Sequence, residues 1–282
     1  MLIQTPAKIN ITLDVIGKRE NGYHDVKMIM QKVSLFDIIE IEMASSISIE
    51  TNLPYLPCDR RNIVYRAAEA FFEHTGIIGG AKIKMHKKIP VGAGLAGGST
   101  NAAGVLMALD EMYGAGLKKE TLSRLGSKLG ADVAFFIDGS STCLAEGLGE
   151  VLTPITPNNL KGYIVLAKPN FPVSTKWVYE SLKLDRIKQR PNTELVIEAI
   201  KNGDLKIVAE NMVNVLETVT IDRYPEIERY KKNMLRCGAI GSIMSGSGST
   251  AFGIFDDKVK ASACADEMKR KTDDVFLVEF TQ

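Results

Sequence analysis

Apolar and polar side chains alternate strictly over residues 7–15, near the start of the chain. The apolar set is Ile9, Ile11, Leu13 and Val15, and the polar set is Lys8, Asn10, Thr12 and Asp14. A period of two residues is typical of a β-strand with one buried and one solvent-facing side. The pattern therefore predicts a half-buried strand that carries Lys8 and Asn10 side by side on its polar face.

The same alternation returns in three short segments of the first third of the chain. They lie at 39–43, 47–49 and 83–85, and turn residues follow or precede them at 44–46 and 79–80. Apolar alternation bounded by turn residues predicts further strands. The chain is therefore expected to begin as an antiparallel sheet.

A repeat near 3.6 residues predicts helices among and after these strands. Asn62 is placed to cap the first of them, because its side chain can accept a hydrogen bond from the opening turn. A second helix is expected from about residue 99 to 113, and a third through 122–129. Asp132 then lies just beyond the end of the third helix.

A stretch rich in proline, asparagine and threonine, residues 153–161, predicts a domain boundary. Beyond it, helical patterns occur near 174–183, 193–201, 204–217, 225–236 and 257–271, and strand patterns near 163–167, 239–244, 250–255 and 275–280. The expected fold is α+β with two lobes, residues 1–155 and 156–282.

The charge balance limits the partners that this protein can attract. The 282 residues include 35 basic and 34 acidic side chains, for a formal net charge of +1. A chain with almost no net charge does not attract nucleic acid or an anionic membrane surface through its overall electric field, so a polyanion must be bound at a local site. We therefore expect small-molecule partners, and neither nucleic acid nor membrane.

The cysteines and the apolar runs indicate a cytoplasmic protein. Its four cysteines form no CxxC pair and have no histidine at metal spacing, which argues against a disulfide framework and a zinc site. No apolar run approaches the roughly 20 residues that span a bilayer. The cysteines Cys58, Cys143, Cys237 and Cys264 are expected to be reduced.

The sharpest local motif is PVGAGLAGGST at 90–100, here called the first glycine loop. It lies between a predicted strand and a predicted helix, where backbone N–H groups and the helix dipole can converge on a phosphate. Gly92, Gly94 and Gly97 also satisfy GxGxxG, but Pro90 and the antiparallel context disfavour a dinucleotide-binding turn. A plain flexible loop is the third interpretation. Walker-type and protein-kinase motifs are absent from the sequence.

Two further segments offer candidate chemistry. MSGSGST at 244–250, here called the second glycine loop, predicts a tight hairpin turn or a place where another loop or a phosphate approaches closely. GYHD at 22–25 predicts a turn soon after the first strand. His24 stands out there because Tyr23 beside it offers a stacking face.

These motifs, in this order and spacing, resemble the galactokinase, homoserine kinase, mevalonate kinase and phosphomevalonate kinase superfamily. The motifs are AKIN at 7–10, GKR at 17–19, GYH at 22–24, the first glycine loop, GADV at 130–133 with two following phenylalanines, and the second glycine loop. AKIN followed by GYH narrows the resemblance to kinases that act on a cytidine-diphosphate-linked methylerythritol in the non-mevalonate isoprenoid pathway.

The resemblance implies a fold, a reaction and a location for the site. It implies an N-terminal lobe like the second domain of ribosomal protein S5, a ferredoxin-like C-terminal lobe, and an active site in the cleft between them. The implied reaction transfers the γ-phosphoryl group of ATP to the 2-hydroxyl of the methylerythritol, with Mg²⁺ accompanying the nucleotide. A monomer or weak homodimer is expected.

Particular residues acquire implied roles from the same resemblance. Lys8 and Asp132 match the catalytic pair, with Asp132 as the base, and Asn10 matches a substrate-positioning residue. Tyr23 and His24 match groups that bind cytosine. The second cytosine aromatic is expected to be Tyr179, with Trp177 and Phe171 as the alternatives. The residues that match the ATP loop are Pro90, Val91, Gly92, Ala93, Gly94, Leu95, Ala96, Gly97, Gly98, Ser99 and Thr100.

The chain departs from the family pattern within the first glycine loop. Ala96 stands where the family commonly has another glycine, and Thr100 and Asn101 stand where Ser–Asp or Ser–Asn is usual. An alanine methyl group there can crowd a phosphate slightly. Ser99 and Thr100 are therefore only candidates as magnesium ligands, and the metal ligands are left unassigned.

Two competing functions fit these residues less well. A sister kinase for homoserine or mevalonate has a substrate without a nucleobase, so Tyr23 and His24 would have no role. A catalytically silent, ligand-binding relative is expected to lose the catalytic pair first, yet Lys8 and Asp132 are both present.

Overall fold

The structure, a computed structural model, describes every residue from Met1 to Gln282. Its strands are β1 (Leu2–Lys18), β2 (His24–Ala44), β3 (Ser48–Thr51), β4 (Gly80–His86), β5 (Thr142–Gly147), β6 (Val151–Pro154), β7 (Tyr163–Lys168), β8 (Gly241–Met244), β9 (Ala251–Phe255) and β10 (Asp274–Glu279). Its helices are α1 (Ile63–Thr75), α2 (Gly97–Tyr113), α3 (Lys119–Leu129), α4 (Val133–Asp138), α5 (Thr175–Ser181), α6 (Thr193–Asn202), α7 (Leu205–Glu210), α8 (Glu217–Arg223), α9 (Glu226–Arg236) and α10 (Lys258–Lys269), with a 3₁₀ turn at Leu184–Arg186. The strands form one sheet of six and one of four, which confirms the α+β class.

The chain contributes several separate stretches to each of two compact units. The first unit contains Met1–Ala7, Leu35–Ile89 and Ala96–Ser140, and the second contains Lys8–Ser34, Pro90–Leu95 and Ser141–Gln282. Strands β1 and β2 each contribute residues to both units. The lobe boundary after residue 155 stays a prediction.

In the first unit, the strand order is β3–β4–β2, and helix α1 contacts β4. Strand β4 is antiparallel to β2 but parallel to β3. The expected antiparallel pairing is confirmed for β2 and β4, whereas β3 pairs in parallel because helix α1 joins β3 to β4 as a crossover. The Asn62 side chain accepts a hydrogen bond from Val64 N at 3.0 Å, which confirms the predicted cap.

In the second unit, the four-stranded sheet has the order β10–β7–β9–β8, with every neighbour antiparallel. Strand β7 is central, and its residues 164–167 are fully buried. Helices α9 and α10 pack against this sheet. The predicted strands near 163–167, 250–255 and 275–280 are confirmed to within two residues at each end.

The polar face of β1 is buried, so the prediction of a half-buried strand is wrong. Lys8 is 4% exposed and Asn10 is 0% exposed. Other parts of the second unit cover and satisfy these groups. Asn10 Nδ2 donates to Met28 Sδ at 3.2 Å, and Asp14 forms an ion pair with Arg190 at 2.5 Å. Burial of these polar side chains is tolerated because each has a partner.

The helix predicted over 204–217 is interrupted. Helix α7 ends at Glu210, and the chain then runs beside β1, where Leu13 N donates to Val213 O at 2.9 Å and Val215 N donates to Leu13 O at 3.0 Å. Backbone groups that bond to a strand cannot continue a helix. Helix α8 begins afresh at Glu217.

No helix in the structure has the length and apolar character needed to cross a bilayer. All four cysteines are free of disulfide bonds.

Candidate active site

The first glycine loop leads directly into helix α2. The helix begins at Gly97, two residues before the predicted start, so Gly97, Gly98 and Ser99 form its opening turn. The N–H groups of an opening turn have no partners inside the helix and carry the positive end of its dipole. Gly92 and Gly94 have φ values of 63° and 77°, which L-residues rarely adopt. This geometry suits a phosphate.

Ala96 has a left-handed backbone, with φ 56° and ψ 30°, at the N-cap position of α2. It is the one residue other than glycine with a positive φ. Glycine adopts this conformation without the strain that the Cβ of Ala96 brings.

Replacing Ala96 with glycine is therefore expected to stabilise the protein by about 1 kcal/mol. A left-handed L-residue costs roughly 1–2 kcal/mol, and the greater freedom of glycine in the unfolded chain removes part of the gain. Urea unfolding of the variant measures the change. Ala103→Gly, inside α2, is the control and should destabilise by about 1 kcal/mol or more. An Ala96→Gly protein no more stable than the parent would contradict the strain.

The second glycine loop is a hairpin that also supports the first glycine loop. Met244 pairs with Ala251 across the hairpin. Ser245 Oγ donates to Gly94 O at 3.0 Å, and Thr250 N donates to Ala93 O at 3.2 Å. A Cβ on Gly94 would lie only 2.2 Å from Ser245 O. Both sequence-based interpretations, tight hairpin and close approach of another loop, are therefore confirmed.

Buried Asn214 and half-buried Glu217, neither of which was predicted from the sequence, hold the second glycine loop in place. Asn214 Nδ2 donates to Met244 O at 2.9 Å and to Gly246 O at 2.7 Å. Glu217 accepts from Met244 N at 2.8 Å and from Lys231 Nζ at 2.7 Å. Burial raises the pKa of the Glu217 carboxyl. The sequence signal for Asn214 was a polar residue within an apolar segment, between Val213 and the pair Val215 and Leu216.

Lys8 and Asn10 lie together beside the two glycine loops. Lys8 Nζ donates to Asn10 Oδ1 at 2.6 Å, and Lys8 N donates to Leu95 O at 3.2 Å. Asn10 N donates to Ser245 Oγ at 3.4 Å. Their spacing of two residues on β1 explains the shared face. A buried cation next to a phosphate-type loop can stabilise negative charge there.

His24 lies beside the ring of Tyr179, with 5.5 Å between ring centroids. Burial, followed by the charge of Lys18, lowers the pKa of His24, which favours the neutral imidazole. Tyr23 is 63% exposed, and its ring is open to solvent. The structure thus brings Tyr179 to His24.

The two alternative aromatics contact a different partner. Phe171 stacks on Tyr224 with centroids 4.8 Å apart, and Trp177 meets Tyr224 edge-on at 6.1 Å. Tyr179 as the cytosine-facing ring stays a prediction.

Asp132 occupies the N-cap position of helix α4 in the first unit and is half-buried. The sequence analysis placed it after α3 but missed the short helix that follows. The turn before it lies near the start of α2, since a Cβ on Gly130 would be 3.8 Å from Ser99 Oγ. The fold thus brings the GADV motif to the opening turn of α2.

A buried network that the sequence analysis missed anchors the first glycine loop from the side of α2. Asp37 is 0% exposed, and its carboxylate accepts from Lys88 N at 2.6 Å and from Ile89 N at 2.8 Å. Asn101 on α2 donates to the same carboxylate at 3.0 Å. Lys87 forms an ion pair with Asp37 and donates to Asn101 Oδ1 at 2.7 Å. Burial lowers the pKa of Lys87, although Asp37 opposes that shift.

Asp37 therefore joins the residues that precede the loop to the helix that follows it. An alternating strand pattern predicts which face a residue occupies, but no local signal indicated that Asp37 and Lys87 would meet.

The side chains near the first glycine loop are better suited to a metal ion that is bound together with a nucleotide than to one bound by protein ligands alone. No group of three or more His, Cys, Asp or Glu side chains is placed to hold an ion. Mg²⁺ commonly takes one or two protein ligands together with phosphates and water. Ser99 is half-buried whereas Thr100 is 1% exposed, so Ser99 is the more accessible of the two candidate hydroxyls.

Comparison with known families gives matches in both halves of the chain. Residues 62–140 match the GHMP kinases N terminal domain, and residues 196–274 match the GHMP kinases C terminal domain.

Curated relatives match nearly the whole chain. A 4-diphosphocytidyl-2-C-methyl-D-erythritol kinase of Clostridium novyi is 48% identical over 98% of this chain and 99% of its own. An enzyme of the same name from Clostridium botulinum is also 48% identical, with the same coverage.

Solved structures of known kinases also match nearly the whole chain. A crystal structure of 4-(cytidine 5'-diphospho)-2C-methyl-D-erythritol kinase superposes with a TM-score of 0.85 at 33% identity, covering 100% of both chains. A homoserine kinase of Cytophaga hutchinsonii reaches a TM-score of 0.73 at 19% identity, over 99% of this chain and 94% of its own. The second likeness shows a shared fold alone.

Proposed function

Because this chain belongs to the 4-diphosphocytidyl-2-C-methyl-D-erythritol kinase family of the GHMP kinases, we propose that it phosphorylates that family's cytidyl substrate with ATP. The transfer moves the γ-phosphoryl group of ATP to the 2-hydroxyl of the methylerythritol, in the non-mevalonate isoprenoid pathway. The supporting observation is 48% identity with a relative of that name over 98% of the chain.

The proposed phosphate site is the first glycine loop, residues 90–100. The opening turn of α2 supplies unpartnered N–H groups, and the left-handed glycines allow close approach. We propose that Ser99 would be the protein ligand of a Mg²⁺ ion bound together with ATP, where the ion would neutralise phosphate charge.

The proposed chemistry assigns one role each to Asp132 and Lys8. Asp132 accepts the proton of the 2-hydroxyl as the oxygen–phosphorus bond forms and the bond to the β-phosphate oxygen breaks, which releases ADP. Lys8 stabilises the negative charge of the transferring group. Its hydrogen bond to Asn10 fixes its ammonium on β1, and Asn10 is proposed to position the substrate.

The finer description of the fold belongs to the same proposal. It comprises an S5-like N-terminal lobe, residues 1–155, a ferredoxin-like C-terminal lobe, residues 156–282, and an active site in the cleft between them. A monomer or weak homodimer in the cytoplasm completes the proposal.

Cytosine recognition is proposed to involve Tyr23, His24 and Tyr179. A neutral His24 can donate from one ring nitrogen and accept at the other, as a nucleobase edge requires. Tyr179 beside it supplies a flat apolar face.

Tyr179→Ala is expected to raise KM for the cytidyl substrate roughly 10-fold, because stacking on a base contributes about 1–3 kcal/mol. KM for ATP should stay within about twofold of the parent value. Tyr179→Phe keeps the ring and serves as the matched control, with near-parental kinetics. Steady-state kinetics with each substrate varied in turn measure these changes. An unchanged KM in Tyr179→Ala would remove this ring from the cytosine site.

The function is tested by mixing the purified protein with Mg-ATP and, separately, the cytidyl substrate, homoserine and mevalonate. Phosphorus NMR follows ADP release together with the new phosphomonoester. Turnover with the cytidyl substrate alone is expected. Turnover with homoserine or mevalonate would instead support a sister kinase, and nucleotide binding without turnover would support the silent relative.

A further inference from the structure

An open surface cavity of about 300 Å³ lies in the second unit, against the helix that carries Tyr179. Helix α5, the following 3₁₀ turn and helix α8 form its walls. The lining residues that matter here are Trp177, Ser181, Lys183, Arg186, Asp222 and Arg223. Its volume is at the lower end of the range for ligand pockets, which suits a small molecule.

The charges of the lining favour an anion. Lys183, Arg186 and Arg223 contribute three cations, and Asp222 contributes one carboxylate. None of the three cations forms an ion pair within the protein. All three cations are exposed and line one cavity, so they are available to phosphate oxygens, which guanidinium groups bind in a bidentate manner.

Trp177 gives the cavity a flat apolar wall. Its ring is half-buried and is held edge-on against Tyr224 at 6.1 Å. Aromatic rings of this kind bind the flat or branched carbon part of a ligand, while charged groups bind its polar end.

The cavity is distinct from the proposed cytosine site. Trp177 and Ser181 are four residues apart and share one face of α5. Tyr179 is two residues from each, about 200° around the helix. It therefore faces away from the cavity, toward His24.

Both helical walls are bonded to the second glycine loop. Thr175 Oγ1 at the start of α5 lies 2.8 Å from Ser247 Oγ. Thr220 Oγ1 on α8 donates to Ser247 O at 3.3 Å. Ser245 in that loop bonds in turn to Gly94 O, so hydrogen bonds connect both walls to the first glycine loop.

We propose that this cavity is an effector site for a small organic phosphate that carries two or more negative charges. Its phosphate binds Lys183, Arg186 and Arg223, and its carbon part lies against Trp177. Occupancy acts on the cytidyl substrate through α5, which carries Tyr179. The binding step is independent of the proposed function, whereas the effect on substrate rests on it.

Binding is tested through Trp177, the one tryptophan of the chain. Phenyl phosphate is titrated at constant ionic strength, with saturating Mg-ADP to occupy the nucleotide site, and phenol is the uncharged analogue. A saturable change in tryptophan emission is expected for phenyl phosphate alone. Arg223→Gln and Lys183→Gln should each weaken binding about 10-fold, as loss of a charged hydrogen bond predicts.

Lys188→Gln is the matched control, since this exposed lysine lies in the same segment but outside the cavity. The affinity of the Lys188→Gln protein for phenyl phosphate should stay within twofold of the parent value. The site is refuted if phenyl phosphate gives no saturable signal, if Mg-ADP abolishes the signal, or if Lys188→Gln loses as much affinity as Arg223→Gln.

The effector role has a kinetic readout. Phenyl phosphate should change KM for the cytidyl substrate at least twofold in the parent and leave it unchanged in Arg223→Gln. Without additive, Arg223→Gln should have parental kinetics. A fluorescence signal with no kinetic effect would refute the effector role and keep the site. Saturable fluorescence in a protein that phosphorylates none of the three substrates would refute the proposed function and not the site.

Discussion

Asp132→Asn is expected to lower kcat by roughly 10²–10⁴-fold, the range that a positioned general base contributes. The amide has nearly the shape of the carboxylate but does not accept the proton of the 2-hydroxyl. Binding of ATP should persist, because the first glycine loop is unchanged. Stopped assays of ADP release measure kcat, and isothermal titration calorimetry measures nucleotide binding.

The matched control for this prediction is Asp138→Asn. Asp138 ends the helix that Asp132 begins, and its carboxylate contacts Lys119 and Ser140 N. The Asp138→Asn protein should keep near-parental activity, since this carboxylate caps the turn after α4. Near-parental turnover in Asp132→Asn would exclude Asp132 as the base, whatever the control shows.

Asp37→Ala is expected to lower the free energy of unfolding by about 3–5 kcal/mol, the cost of removing one partner from a buried ion pair. The substitution leaves the Lys87 ammonium buried without its counter-ion. It also removes the acceptor for Lys88 N and Ile89 N. Any protein that remains folded should show a higher KM for ATP, because these residues lead into the first glycine loop. Urea unfolding and ATP-dependent kinetics measure the two effects.

Asp59→Ala is the control for burial. Asp59 pairs with Arg61 at 2.8 Å, and both side chains are exposed. Loss of this pair should leave the unfolding midpoint almost unchanged. Comparable destabilisation by Asp37→Ala and Asp59→Ala would show that burial of the Asp37 network contributes nothing.

Features set by neighbouring residues could be predicted from the sequence. The Asn62 cap, the strand character of β1 and the hairpin at the second glycine loop follow from residues a few positions apart. The first glycine loop could be predicted because closely spaced glycines between a strand and a helix leave backbone N–H groups accessible.

Features set by distant residues could not be predicted. The polar side of β1 is buried because Arg190 and the second glycine loop cover it. The Asp37 network joins residues up to 64 positions apart. The helix predicted over 204–217 is broken because β1 competes for its backbone. In each case a tertiary contact overrides the local pattern, and no periodicity reports such a contact.

The candidate site could be predicted from sequence motifs, and not from hydrophobic patterning or charge. Asn214 and Glu217, which hold the second glycine loop, carry no motif that the sequence analysis used. Tyr179 was chosen from three aromatics by resemblance, and its proximity to His24 emerged only in the structure.

The bond between Ser245 and Gly94 also has a consequence for synthesis on the ribosome. The two residues are 151 positions apart, so Gly94 leaves the ribosome long before its partner exists. At about 5–20 residues per second, this interval lasts roughly 8–30 s. During that time the first glycine loop lacks its contacts with the second glycine loop, although the Asp37 network can already form. A chain that ends before Ser245 is therefore expected to bind ATP more weakly than the full protein.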